Sequence, residues 1–155
     1  MKTLADEIAE TDVFAGLPRD DLELLAGCGR NVGFDAGELL FEEGEPADVF
    51  FLLRRGRVAL ELHSPTRGGL TIDTVDAGSV VGWSWLFPPY RWQFDARAID
   101  PVRAVAFDGA CLRGKCDDDP RLCYSLMGRF GQVMVDRLQA ARIRLLDVYG
   151  SVARR

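Results

Sequence analysis

Histidine is almost absent from this chain: His63 is the single copy among 155 residues, against 24 acidic side chains. A lone imidazole at a strand end before Ser64-Pro65, with no partner near it in sequence, reads as a solvated loop residue. No nucleophile–base pair and no metal-ligand cluster can be assembled, so the sequence points away from an enzyme. Phosphate-cradling glycine patterns are missing as well, since no dinucleotide-type or P-loop run opens a helix. No apolar stretch approaches the ~20 residues of a membrane helix. The first residues, MKTLADEIAETD, carry acids where a signal peptide would be apolar, which leads us to expect a cytoplasmic protein off the membrane. A formal charge of −5 leaves no basic face for a nucleic-acid backbone, and no direct DNA binding is expected.

Cys28, Cys111, Cys116 and Cys123 are even in number, but nothing else suggests a disulfide scaffold, and they are read as reduced structural thiols. The spacing Cys111-x4-Cys116-x6-Cys123 matches no iron–sulfur motif. A thiol or iron–sulfur redox sensor stands only as a further alternative.

What the chain does have is ordinary globular composition, 48% hydrophobic and 28% charged, at a length that suits one domain. Folding at this size buries roughly 70% of the unfolded chain's surface. Thr3 to Glu10 forms a short helix, with Thr3 and Asp6 or Glu7 supplying N-terminal acceptors. Pro18 to Ala26 forms a second, with proline in the first turn and aspartates at the positive end. The stretch Gly37 to Leu60 then reads as three strands. Glu38 to Phe41 is stopped by Glu42-Glu43-Gly44-Glu45-Pro46, Val49 to Leu53 is ended by Arg54-Arg55-Gly56, and Val58-Ala59-Leu60 begins the third. From Val32 to Phe107, glycines recur between short strands in the rhythm of an antiparallel sandwich or jelly roll. The expected divisions of this single domain are N-terminal helices over 1–27, a β-roll over 28–108 and C-terminal helices over 109–155.

Pro120 to Tyr149 is a long helix without internal proline. Met127, Met134, Leu138, Ala141, Leu145 and Val148 form a coiled-coil-like seam, and Leu122, Leu126, Phe130 and Val133 form a stripe beside it. A helix this long outruns a small barrel, so a homodimer is expected through Met134, Leu138, Ala141, Leu145 and Val148.

The pattern formed by Gly37, Leu40, Phe41, Glu43, Gly44, Ala47, Phe51, Leu53, Gly56 and Val58 resembles the cyclic-nucleotide-binding domain of the catabolite activator protein (Crp/Fnr) family. Phe14, Leu17, Leu22 and Leu25 reproduce that family's N-terminal phrase. The resemblance implies a mainly β fold: a double-stranded β-helix, or jelly roll, with short N-terminal helices and a long C-terminal helix that serves as the dimer interface. The family's transcription factors carry a helix-turn-helix domain after that helix. This chain stops at Arg155, so we expect it to act through another, regulatory protein.

The resemblance also implies a phosphate-binding cassette, in which a glutamate meets the ribose hydroxyl and an arginine the phosphate. The matching segment here runs from Gly78 to Ala98. Gly82 and Leu86 keep the frame, Trp83 stands in the glutamate's place, and, counting back from Ala98, Trp92 and Gln93 stand where arginine and serine or threonine belong. The candidate ligand residues are therefore Val81, Gly82, Trp83, Ser84, Trp85, Leu86, Arg91, Trp92 and Gln93. From the long helix come Arg137, a possible second phosphate contact, and Ala141 and Arg142, aligned with the family's adenine contacts. Trp92, Phe94, Ala96 and Ala98 share one apolar strand face, and Arg97 lies on the other with Gln93 and Asp95, an exposed arginine near a carboxylate.

Two readings of Trp83, Trp85, Tyr90 and Trp92 compete: aromatic walls for a planar ligand, or a cavity plugged by its own side chains. The function expected is a non-enzymatic regulatory or sensor module with an atypical cassette, taking cyclic AMP, cyclic GMP or another small anionic ligand. The alternative is a scaffold or assembly protein whose pocket is closed.

Overall fold

A computed structural model describes residues 1–66 and 68–153, the last three by backbone alone. Arg154 and Arg155, the end of the expected C-terminal segment, lie outside the described residues. The chain runs α1 (Leu4–Ala9), α2 (Arg19–Gly27), β1 (Gly29–Phe34), β2 (Leu39–Phe41), β3 (Val49–Arg55), β4 (Val58–Ser64), β5 (Gly68–Val75) and β6 (Val80–Val81). A single 3-10 turn at Ser84–Leu86 leads to β7 (Asp95–Ala98), β8 (Val102–Asp108), α3 (Gly109–Asp118) and α4 (Pro120–Ala153). The strands form two four-stranded antiparallel sheets, ordered β1-β8-β3-β6 and β2-β7-β4-β5. Neighbours distant in sequence pair within each sheet, and the result is a jelly-roll-like fold, mainly β, with short helices before it and a long helix after it.

Local chemistry sets the boundaries. Thr3 Oγ1 accepts from the Asp6 amide at 3.2 Å while the Asp6 carboxylate accepts from the Thr3 amide at 2.8 Å, a reciprocal cap that starts α1. Gly56, at φ +83°, turns β3 into β4; a Cβ there would lie 2.5 Å from the Pro101 carbonyl oxygen, so glycine is required by shape as well as by dihedral.

Alternation along the strands divides the apolar side chains between two cores. One face of the β1-β8-β3-β6 sheet sends Phe50, Leu52, Val80, Val105 and Phe107 against the helices, where they meet Phe14, Leu25, Leu112, Leu122, Leu126 and Phe130. The other face sends Phe51, Leu53, Val81, Ala104 and Ala106 between the sheets, against Phe41, Val58, Leu60, Trp92, Phe94, Ala96 and Ala98. Asp21, fully buried on α2, receives Arg121 of α4 through two hydrogen bonds of 3.1 and 2.8 Å, which fixes the start of the long helix against the N-terminal one.

Two sequence expectations need correction. Cys28 and Cys111 are joined in a disulfide rather than lying apart as reduced thiols. Cys28 ends α2 and Cys111 lies in the first turn of α3; the pairing of β1 with β8 brings together these residues, 83 positions apart. Cys116 and Cys123 are free. His63 is not a solitary loop residue: it belongs to β4, and its Nε2 lies 2.9 Å from the buried Asp95 carboxylate.

Candidate functional site

The segment from Gly78 to Ala98 crosses from one sheet to the other, and its side chains part company on the way. Val80 and Val81 pair with Leu52 and Phe51 of β3. Gly82 follows at φ +95°, a conformation a side chain rarely adopts. Its missing side chain also leaves room for indole. A Cβ at Gly82 would lie 2.5 Å from two carbons of the Trp92 ring.

Trp92 is 2% exposed and stacks face to face on Phe41, centroids 3.8 Å apart and planes 9° apart. Phe41 in turn stacks on Phe51 and leans on Phe94. The indole thus sits in the space between the two sheets, packed on Gly82 from one side and on the β2 phenylalanine from the other. Backbone hydrogen bonds hold it there. The Trp92 amide donates to the Glu45 carbonyl at 3.1 Å, its carbonyl accepts from Gly44 at 2.9 Å, and the Ala47 amide donates to Tyr90 at 2.6 Å. Asp95 reinforces the same turn by accepting from the Glu43 amide at 2.7 Å.

The other candidate residues do not converge on one ligand space. Trp83 is half-buried, edge-on to Phe94, with the Arg137 guanidinium 5.2 Å from its ring centre. Ser84 is buried at the start of the 3-10 turn. Trp85 is fully buried but lies in the helix-side core, stacked on Phe50 at 4.7 Å and edge-on to Phe130, so it is no wall of a pocket between the sheets. Leu86 packs into the same core. The 3-10 turn breaks the two-residue alternation, which is why Trp85 faces away from Trp92. Arg91 is exposed and donates to the Gly44 carbonyl at 2.8 Å, and exposed Gln93 donates to the Arg91 carbonyl at 3.2 Å. Arg97 binds Glu61 at 3.0 Å and the Gly37 carbonyl at 2.8 Å instead of standing free near Asp95.

On α4, Arg137 donates to Ser79 Oγ at 3.3 Å and to the Val80 carbonyl. Its other terminal nitrogen is buried with no hydrogen-bond partner, and burial lowers the guanidinium's pKa from the usual range. Arg137 lines a cavity of about 430 Å³ with Asp73, Asp76, Gly78, Ser79 and Asp136, outside the roll rather than within it. Ala141 is half-buried and Arg142 exposed. Arg144, which the sequence reading passed over, contacts the Ile72 carbonyl at 3.3 Å and approaches Asp73 at 3.6 Å, tying the outer half of α4 to β5.

Within the expected seam, Met134 and Ala141 are half-buried, while Leu138 and Leu145 are 50% and 56% exposed and Val148 is exposed too. The neighbouring stripe of Leu122, Leu126 and Phe130 is buried against the roll, with Val133 at its edge.

Comparison with known proteins places this architecture. Residues 32–119 match the family model of the cyclic nucleotide-binding domain. A protein from Geobacter metallireducens, provisionally classed as cyclic nucleotide-binding, is 30% identical and superposes with a TM-score of 0.79, covering 89% of this chain and 99% of its own. The chain therefore belongs to the cyclic nucleotide-binding domain family. The CRP-like cAMP-activated global transcriptional regulator of Mycobacterium tuberculosis is 27% identical over 144 residues, which are 92% of this chain but only 62% of the regulator. The regulatory domain of Toxoplasma gondii PKA, solved with cAMP, has a TM-score of 0.71 at 15% identity over 86% of this chain and 49% of its own, a likeness of fold alone.

Proposed function

We propose that this chain is a non-enzymatic regulatory module whose barrel is closed by its own side chain, and that it works through protein contacts rather than through a cyclic nucleotide held between the sheets. The observation that carries this reading is the Trp92 indole, 2% exposed and stacked at 3.8 Å on Phe41 in the interior of the roll. A cyclic nucleotide needs donors and a cation where its phosphate is buried, since an unpaired buried anion is very costly. The cassette offers indole at the family's arginine position and indole again at its glutamate position.

The long helix is the complementary feature. Its 34 residues extend about 50 Å, beyond the part held by Leu122, Leu126 and Phe130. The seam through Met134, Leu138, Ala141, Leu145 and Val148 has the spacing of a two-helix contact, so the occupant we assign to it is a second copy of this chain. The homodimer would be a cytoplasmic scaffold onto which a regulatory protein docks.

A second reading rests on Arg137. Its buried, unpartnered nitrogen is the kind of group an entering anion would satisfy, beside Ser79 and under Trp83. In that case the module senses a small anion from the helix side of the cassette.

Calorimetric titration with cyclic AMP and cyclic GMP, with melting temperature followed in parallel, separates these readings. Closure predicts no binding heat and no thermal shift up to millimolar nucleotide. A saturable micromolar isotherm overturns it. A rise in melting temperature with inorganic phosphate at matched ionic strength, lost in Arg137→Met, favours the second reading.

A further inference from the structure

Away from the cassette, where α1 meets the sheet, a cleft of about 350 Å³ is lined by Glu7, Asn31, Val32, Arg54, Arg55, Arg103 and Ala104. Three arginines and an asparagine line it, with Glu7 the one acid among its described lining residues, in a chain whose formal charge is −5. Only one of the three arginines is engaged. Arg54 donates to the Glu7 carbonyl at 3.0 Å and lies 3.6 Å from Glu10, so it ties β3 to α1. Arg55 and Arg103 are exposed and, among the described residues, their side chains have no hydrogen bond or ion pair.

These two arginines are also direct partners in the β3–β8 ladder, next to the bulge between Leu53 and Arg55. On the far side of β8, Arg103 pairs with Gly33 of β1, and a Cβ there would lie 3.3 Å from Arg103 Nη1. The Arg103 guanidinium is therefore carried across β1, two residues from Asn31. Two exposed guanidinium groups with free donors lining one cleft are an arrangement an anion completes.

We propose that this cleft binds a small, soluble phosphate compound, a phosphomonoester or a diphosphate, at a site separate from the interior of the roll. Guanidinium forks match phosphate oxygens in bidentate fashion, and Asn31 adds a neutral donor. The volume suits one such group, at the lower end of the ~300–1,000 Å³ typical of small-molecule sites. It is small for a macromolecular surface. The proposal is independent of whether Trp92 closes the barrel.

The test uses inorganic pyrophosphate as the probe, with sodium chloride at matched ionic strength as the control, on the wild type and on Arg55→Gln, Arg103→Gln and the double variant. Pyrophosphate is expected to raise the wild-type melting temperature beyond the chloride control. Each single substitution should weaken its calorimetric affinity about tenfold or more, because each removes a charge-assisted contact. Both should abolish it. The substitutions should also leave the ligand-free melting temperature essentially unchanged, since both side chains are exposed and make no hydrogen bond or ion pair among the described residues, so loss of binding is not loss of folding. Arg137→Met should keep the full response, which separates this cleft from any anion contact beside Trp83. A wild type that responds no more to pyrophosphate than to chloride overturns the proposal, as does a double variant that binds undiminished. Binding of an oligo-aspartate peptide without binding of pyrophosphate overturns it in favour of an acidic protein segment.

Discussion

The interior of the roll and the outer half of α4 treat apolar surface in opposite ways. Between the sheets, Phe41, Trp92, Phe94 and Gly82 interlock until the largest side chain there is 2% exposed. Along α4, Ile143, Leu145, Leu146 and Tyr149 are each more than half exposed. Scattered apolar side chains on a protein surface are ordinary, but this many on one short length of helix is the composition expected of a contact. The difference teaches that apolar side chains between the sheets satisfy one another, whereas those on the outer half of α4 remain exposed.

That contrast can be broken from either end. The largest effect is expected at the plug: Trp92→Ala should cost about 3 to 5 kcal/mol in urea unfolding, because it opens a cavity that the paired sheets cannot collapse. Retained stability would mean the indole is not holding the interior. Next, Leu138→Glu combined with Leu145→Glu should turn a dimer into a monomer in sedimentation, with about 2 kcal/mol or more lost in association and unchanged far-ultraviolet circular dichroism. A monomeric wild type would remove the seam from the account. Gly82→Ala should cost about 1 to 3 kcal/mol, since its methyl would strike the Trp92 ring at 2.5 Å and the backbone sits at φ +95°. In Trp92→Ala that penalty should shrink, which a double-mutant cycle would register as coupling.

Smaller effects sharpen the boundary between the two regions. Arg137→Met should leave unfolding stability within about 1 kcal/mol or raise it, because the buried guanidinium is incompletely paired. The smallest is a pH effect. Burial first, and then the neighbouring Cys123 thiol, push Cys116 from an ordinary 9.0 up to about 12. Its contribution is fully present below the unfolded pKa and is lost as pH climbs from there towards 12. Urea midpoints of the wild type should therefore fall more steeply between pH 8.5 and 10.5 than those of Cys116→Ala.

The walls of the roll were legible because they are made by local rules. Glycine turns at Gly44 and Gly56 and the two-residue alternation of Trp92, Phe94, Ala96 and Ala98 sufficed to place the strands and to aim Trp92 inward. Trp85 was not legible, because the 3-10 turn at Ser84–Leu86 interrupts that alternation and sends it to the helix-side core. Neither the Cys28–Cys111 bond nor the His63–Asp95 contact could be read from spacing. Both depend on strand partners far away in sequence, β1 with β8 and β4 with β7. The arginine cleft was hidden for the same reason. Arg55 and Arg103 become neighbours only in the β3–β8 register.

The most direct test of closure uses the three tryptophans, Trp83, Trp85 and Trp92, as reporters. With 5-fluorotryptophan incorporated and each fluorine resonance assigned by single substitution, cyclic AMP is titrated to millimolar concentration. The account predicts that the Trp92 resonance stays at one position, insensitive to the nucleotide. A Trp92 resonance that moves and saturates with cyclic AMP would show the indole leaving its seat for the ligand, and would contradict the claim that the barrel is filled by its own chain.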